Sequence, residues 1–214
     1  MVLAVGSSRL QWRWCSSCTA QITHCVCAYN GQEEKPLATT LVLYGSNYGY
    51  TRSYAEWIAE DLGGRALAVS DATGDDVAQA DLVVLGASDY AGKLTNADQF
   101  KALDAALSPK KKGFFTVSFS GDVSQPTEKL DALIAKNLGE VYQDGAPTAH
   151  FRGGIDYSVL SRAHKTAMVG VKTFLKSKPH KSETDRQMID CYGGSADYRD
   201  RSSITPFIEA LKAL

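Results

Sequence analysis

Residues 40–62, TLVLYGSNYGYTRSYAEWIAEDL, constrain the fold more than any other stretch of the chain. Thr40 to Tyr44 is a short apolar, β-branched run. It lacks the polar alternation of a half-exposed strand, so it reads as buried on both faces, as in the middle of a parallel sheet. A polar turn follows from Gly45 to Thr51. Ser46, Asn47 and Thr51 carry hydrogen-bonding side chains there, and Gly49 allows a backbone angle that other residues resist. A helix starts at once, with Tyr54, Ala55, Ile58, Ala59 and Leu62 on one face. Its free N–H groups and positive dipole end make this turn a seat for a phosphate-sized anion. The same composition also serves an ordinary βα turn that holds nothing. The turn is neither a Walker A loop, since no Gly-Lys-Ser/Thr follows, nor G-x-G-x-x-G.

The pattern then alternates strand and helix. Strands are expected at 65–69, 81–87, 113–119 and 146–151. Helices are expected from Asn96 to about Leu107, over 127–137 and from Thr205 to Leu214, with Pro206 in the first turn of the last. Residues 71–79 read as a polar connection with room for a short helix, and 109–112 as a solvated turn. Five strands alternating with helices imply a doubly wound parallel sheet covered on both faces. Ligands of such sheets bind outside the carboxyl ends of the strands, where the strand order reverses. The candidate loops are therefore 46–51, 88–95, 119–122 and 153–156.

The chain has 214 residues, 44% hydrophobic and 22% charged, which is enough for one full core. A net charge of −1 argues against general nucleic-acid binding. Four of the five cysteines, Cys15, Cys18, Cys25 and Cys27, lie in the first 27 residues. Four thiolates can close a zinc site, but these loop lengths are not those of a common zinc module. Residues 1–37 also hold no acid before Glu33, a composition shared with transit peptides. They read as a poorly ordered, Cys-containing extension, or an over-long start to the coding region, ahead of a domain at 38–214. One remaining cysteine, Cys191, suits a small buried residue better than a redox centre. The main domain has no disulfide framework, which places it in a reducing cytoplasm. The four histidines form no metal set: His24 is in the extension, His150 on a strand, His164 and His180 further on.

Between Tyr157 and Ser182 there are six basic residues and no acid: Arg162, Lys165, Lys172, Lys176, Lys178 and Lys181. Leu160, Ala163, Ala167, Met168, Val171, Phe174 and Leu175 recur at helical spacing. This is a basic amphipathic helix. It either packs on the domain with a solvated charged face or offers a surface to anionic lipid, a membrane quinone or an anionic substrate.

The turn at Ser46, Asn47, Gly49 and Thr51 resembles the phosphate loop of flavodoxin-like proteins, although Tyr48 stands where that family has a smaller or acidic residue. Within the flavodoxin fold the chain is most similar to the menaquinone-dependent protoporphyrinogen oxidases. The residues that carry this are 85–88 (LGAS), 115–118 (FTVS), 153–157 (GGIDY), and a helical insertion at 157–186 closing on Glu183, Thr184 and Asp185. The resemblance covers 39–214. It implies a flavodoxin-like, doubly wound five-stranded parallel sheet with the insertion before the last helix, and FMN as cofactor. The phosphate would be held at Ser46, Asn47, Tyr48, Gly49, Tyr50 and Thr51. Tyr90 would stack on the flavin ring, with Phe119 or Tyr48 behind it. Ser88, Ala91 and Gly92 would bond the ring edge, and Ser118 and Gly121 would approach it from the third loop. Asp89 and Asp122 lie nearby, but loop carboxylates are commonly just solvated.

Three functions follow. The resemblance implies an FMN-dependent oxidoreductase that passes electrons from a reduced tetrapyrrole or similar small donor to a quinone. No protein nucleophile is required. Such a protein would touch the inner face of the membrane through 157–181. A flavodoxin-type electron carrier is the alternative, against which the near-neutral charge and the insertion both weigh. A flavin-free interaction module is the third, with Tyr48 in the turn as its support.

Overall fold

The computed structural model describes residues 39–90, 92–121 and 127–214. Five parallel strands form the centre: β1 (Thr40–Gly45), β2 (Arg65–Ala68), β3 (Leu82–Tyr90), β5 (Lys111–Ser118) and β6 (Thr148–Arg152), in the order β2-β1-β3-β5-β6. The chain moves outward from β1 to β2, then crosses back to β3. The loops after β1 and β3 therefore flank the switch point. Alternate residues of each strand feed opposite cores, as the two-residue period requires. Leu41, Leu43, Val83, Leu85 and Phe114 face one side with Phe100, Leu107, Ile134 and Leu138. Val42, Val84, Phe115, Val117 and Phe151 face the other with Tyr54, Ile58, Phe207 and Leu211. The first core is covered by α2 (Gly74–Ala78), α3 (Ala97–Ala102), α4 (Asp104–Leu107) and α5 (Thr127–Leu138). The second is covered by α1 (Tyr50–Asp61) and α8 (Thr205–Lys212). The expected doubly wound sheet is present.

Four details differ from expectation. The second loop is a hairpin: β3 runs on to Tyr90 and pairs back with β4 (Lys93–Leu94). The helix after Asn96 breaks at Leu103 into α3 and α4, and Asn96 takes the left-handed conformation (φ 63°) without capping through its side chain. Lys111 and Lys112 belong to β5, and Lys112 is buried, with Nζ donating to the Val141 carbonyl at 3.1 Å. The insertion is more than one helix. It comprises α6 (Arg162–Ser177), α7 (Glu183–Asp190) and a small antiparallel pair, β7 (Gly154–Asp156) with β8 (Ser195–Asp197). The expected extension at 1–37 lies outside the described residues.

The insertion has its own small core of Ile155, Tyr157 and Leu160, joined by Tyr48, Phe119, Met168, Cys191, Tyr192 and Ala196. The apolar residues of α6 are divided. Met168, Val171 and Leu175 turn inward, whereas Ala163 and Ala167 are exposed and Phe174 is 63% exposed. The Tyr157 hydroxyl is buried and has no hydrogen-bond partner among the described residues. Leaving a buried hydroxyl unpaired costs about 1 kcal/mol or more. Tyr157→Phe is therefore expected to raise stability by about 1 kcal/mol, read as a higher urea midpoint at unchanged slope.

Local electrostatics also fix α2. Thr73 caps it in a reciprocal box with Asp76. The Thr73 hydroxyl, and after it the Arg65 guanidinium, pull the Asp76 carboxyl down to about 2. A depressed carboxylate contributes stability above its unfolded value and loses it as pH falls through the folded one. The contribution should fade from about pH 4 to about pH 2. Asp76→Asn is expected to flatten that part of the acid-denaturation curve; an unchanged curve would show that the box contributes nothing.

Candidate functional site

The turn after β1 ends on Gly49, the N-cap of α1, at φ 89° and ψ −14°. No side chain caps this helix, and its first turn contains no acid. The N–H groups of Tyr50, Thr51 and Arg52 thus have no intrahelical partner. The turn is closed from within, since the Gly49 N–H donates to Ser46 Oγ at 3.1 Å and Ser53 Oγ donates to the Gly49 carbonyl at 3.3 Å. Asn47 is exposed. Thr51 is fully buried, with Oγ1 2.7 Å from Ser88 Oγ. This hydroxyl pair ties the first loop to the second. A hydroxyl that accepts from Ser88 keeps its own proton to donate. Unspent amides, two hydroxyls and a positive dipole end fit a phosphate.

Tyr48 and Tyr50 reach out of this turn on either side of Gly49. Tyr48 Oη lies 2.5 Å from His164 Nδ1 on α6 and accepts from the Ser161 N–H at 3.3 Å. The bulk of Tyr48 thus has a structural reason: it reaches the insertion. The Tyr50 ring lies against the backbone of β7. A Cβ on Gly154 would fall 2.8 Å from Tyr50 Cε1 and 2.3 Å from the Ala196 carbonyl oxygen. The Arg199 guanidinium sits 5.3 Å from the Tyr50 ring centre and donates to Ser53 Oγ at 2.5 Å. Asp197 pairs with Arg199, which holds the Asp197 carboxyl below its usual range. Burial, then the nearby Asp197 and Asp156 charges, push the Tyr50 hydroxyl upward.

The second loop is shaped by its own side chains. Asp89 Oδ1 accepts from the Gly92 N–H at 2.8 Å, so this carboxylate builds the hairpin turn instead of standing free in solvent. Gly92 has φ 85°. Asn137 on α5 braces the hairpin, with Nδ2 donating to the Gly92 carbonyl and Oδ1 accepting from the Leu94 N–H, both at 3.1 Å. The Gly92 carbonyl is therefore already engaged. Tyr90 is 39% exposed at the tip of β3. Burial, then the neighbouring Tyr48 and Tyr50, push its pKa well above that of a free tyrosine. The Tyr90 ring lies 5.4 Å from His164 at an interplanar angle of 16° and meets Tyr48 edge-on at 6.4 Å.

The third loop packs against β6 and the insertion. Gly121 packs against β6, where a Cβ would fall 2.0 Å from the Phe151 carbonyl oxygen. Ser118 Oγ is 3.2 Å from His150 Nε2, and the Ser118 carbonyl accepts from Gly121 and Gly153. His150 also bonds Thr116, so this histidine, on a strand as expected, has partners at both ring nitrogens. Phe119 meets Tyr198 edge-on at 5.5 Å, and Arg152 lies 3.8 Å over the Tyr198 ring. Phe119 thus holds the insertion. Of the two candidates to stand behind Tyr90, only Tyr48 has a ring contact with it among the described residues. Ala91 and Asp122 lie outside the described residues. The reading by sequence missed Asn137 and Arg199, and gave His164 no role at the site. No local spacing could bring His164 and Tyr48 together across 116 positions.

No group of three or more metal-ligating side chains occurs among the described residues. No curated protein matches the chain. Among solved structures, the chain is similar to the Streptococcus pneumoniae TIGR4 flavodoxin (15% identity, 82% of this chain and 99% of that one, TM-score 0.42). It is also similar to Megasphaera elsdenii flavodoxin (21%, 51% and 81%, 0.39) and a WrbA-like flavodoxin from Agrobacterium tumefaciens (30%, 52% and 82%, 0.34). The family model for the flavodoxin domain matches residues 41–185, from β1 into α7. With that match and a phosphate-ready turn at the switch point, the chain belongs to the flavodoxin-domain family, and its cofactor is FMN.

Proposed function

We propose that this protein is a flavodoxin-type electron-transfer protein. The family match across the sheet and its phosphate turn is the observation that carries this reading. Bound FMN supplies the electron chemistry. The protein's part is to hold it: the α1 amides with Ser46 and Thr51 take the phosphate, and Tyr90 and Tyr48 offer ring faces beside the switch point. The test is the visible spectrum of the purified protein, with apo-protein titrated against FMN. A bound-flavin spectrum that disappears when Ser46 and Thr51 are replaced by leucine supports the reading. No uptake of added FMN would reject it and leave an interaction module.

A second reading is an oxidoreductase with its own small donor and a quinone acceptor, resembling the protoporphyrinogen oxidases. It is favoured by the insertion, whose α6 puts His164 against Tyr90. Stopped-flow reoxidation of the reduced protein separates the two: a quinone outpacing cytochrome c supports the oxidoreductase, and the reverse supports the carrier. No helix among the described residues is long and apolar enough to cross a membrane. Exposed Phe174 and Val169 with exposed Lys165 and Lys176 would make the peripheral contact of this second reading. Equal sedimentation with neutral and anionic vesicles would remove it.

A further inference from the structure

Three rings from distant parts of the chain meet at one place. Tyr48 comes from the phosphate turn, Tyr90 from the tip of β3 and His164 from the first turn of α6. We propose that His164 is a ring-site residue, a hydrogen-bond donor that the insertion contributes to the flavin site and that Tyr48 holds in place. The proposal rests on the FMN reading and adds a residue to it.

In the proposed tautomer Tyr48 Oη accepts from the Ser161 N–H and donates its own proton to His164 Nδ1. A neutral imidazole that accepts at Nδ1 carries its own proton on Nε2. Among the described residues no hydrogen bond is made at Nε2, so in this tautomer its N–H is open to a ligand beside Tyr90. The backbone of His164 is fixed as well, because its N–H donates to the α6 N-cap, Ser161 Oγ, at 3.2 Å. The imidazole is thus placed by a helix end on one side and a phenol on the other, the rigid support that a binding group needs. Its plane lies within 16° of Tyr90. A flavin ring is flat and carries carbonyl and nitrogen acceptors on its pyrimidine side. A donor already parallel to the stacking tyrosine suits such a ring. The Tyr48 bond ties α6 to the first loop and the stacked contact ties it to the second, so the imidazole sits where both loops of the flavin site meet.

The test compares FMN with riboflavin, which has the ring but no phosphate, by quenching of flavin fluorescence on the apo-protein. His164→Ala is expected to weaken both ligands about tenfold, the effect of one hydrogen bond with one aromatic contact. It should also shift the visible absorption envelope of the bound flavin. His164→Gln keeps an N–H donor and should recover most of both effects. Tyr48→Phe removes the group that holds the imidazole and should fall between. Ser46→Ala should weaken FMN alone, which separates the two ends of the site. The proposal is overturned if wild type binds FMN while His164→Ala leaves both affinities and the spectrum unchanged. It is also overturned if His164→Ala weakens FMN alone, or if His164→Gln fails to recover binding while 157–192 becomes protease-sensitive in both variants. A wild-type protein that binds neither ligand overturns the flavin reading, and this proposal with it.

Discussion

Replacing Gly49 by valine is expected to weaken FMN binding about a hundredfold while leaving riboflavin binding unchanged. Space is not the reason, since a Cβ at Gly49 would meet nothing within 4 Å. Conformation is. Gly49 sits at φ 89°, where a β-branched residue costs about 2 kcal/mol. Valine would relax toward negative φ and re-aim the amides on both sides of the N-cap. A phosphate that loses two charge-assisted hydrogen bonds, each worth about 1.5 kcal/mol, loses roughly two decades of affinity. The riboflavin control matters because it reads only the ring end. Equal weakening of both ligands would mean that the turn had collapsed as a whole.

Gly154→Val should destabilise the protein by about 3 kcal/mol. The new Cβ would fall 2.3 Å from the Ala196 carbonyl oxygen and 3.0 Å from the Asp197 Cα, both backbone atoms of the paired strand. Neither can move without opening β7 from β8. The same Cβ would push on the Tyr50 ring at 2.8 Å. The damage should therefore reach FMN through Tyr50, with a Kd raised about tenfold, although Gly154 lies on β7, outside the phosphate turn. Limited trypsin digestion checks this directly, because Arg162, Lys165, Lys172 and Lys176 lie on the α6 helix, whose backbone must unwind before it is cut. A variant as protease-resistant as wild type would show that the strand pair absorbs the methyl groups.

The central sheet was legible because strands buried on both faces must be apolar at nearly every position. The runs TLVLYG and LVVLGAS say so without any partner in view. The phosphate turn was legible because its chemistry is local. What escaped depends on contacts between distant residues. The hairpin at Tyr90–Lys93 is stabilised by Asp89 and by Asn137 from another helix, and nothing in 88–95 announces that brace. Lys112 followed two other lysines and read as solvated, yet its ammonium finds the Val141 carbonyl at the end of a buried stem. Gly121 read as a residue approaching the flavin ring, and its tight packing on the β6 backbone is not announced by its neighbours in sequence. The division of α6 into packed and exposed apolar residues also follows from where Tyr157 and Tyr192 lie, which helical periodicity does not record.

The two tyrosines on either side of Gly49 bear on how separable this protein's parts are. The phosphate turn is gripped at Tyr48 by α6 and at Tyr50 by β7. The insertion is therefore not a module that could be cut out or grafted elsewhere at will. A chimera that carries 154–199 on another flavodoxin's sheet, without both tyrosines in its turn, would leave the graft untethered. A truncation that deletes it would leave two large aromatic side chains stranded in water beside the anion seat.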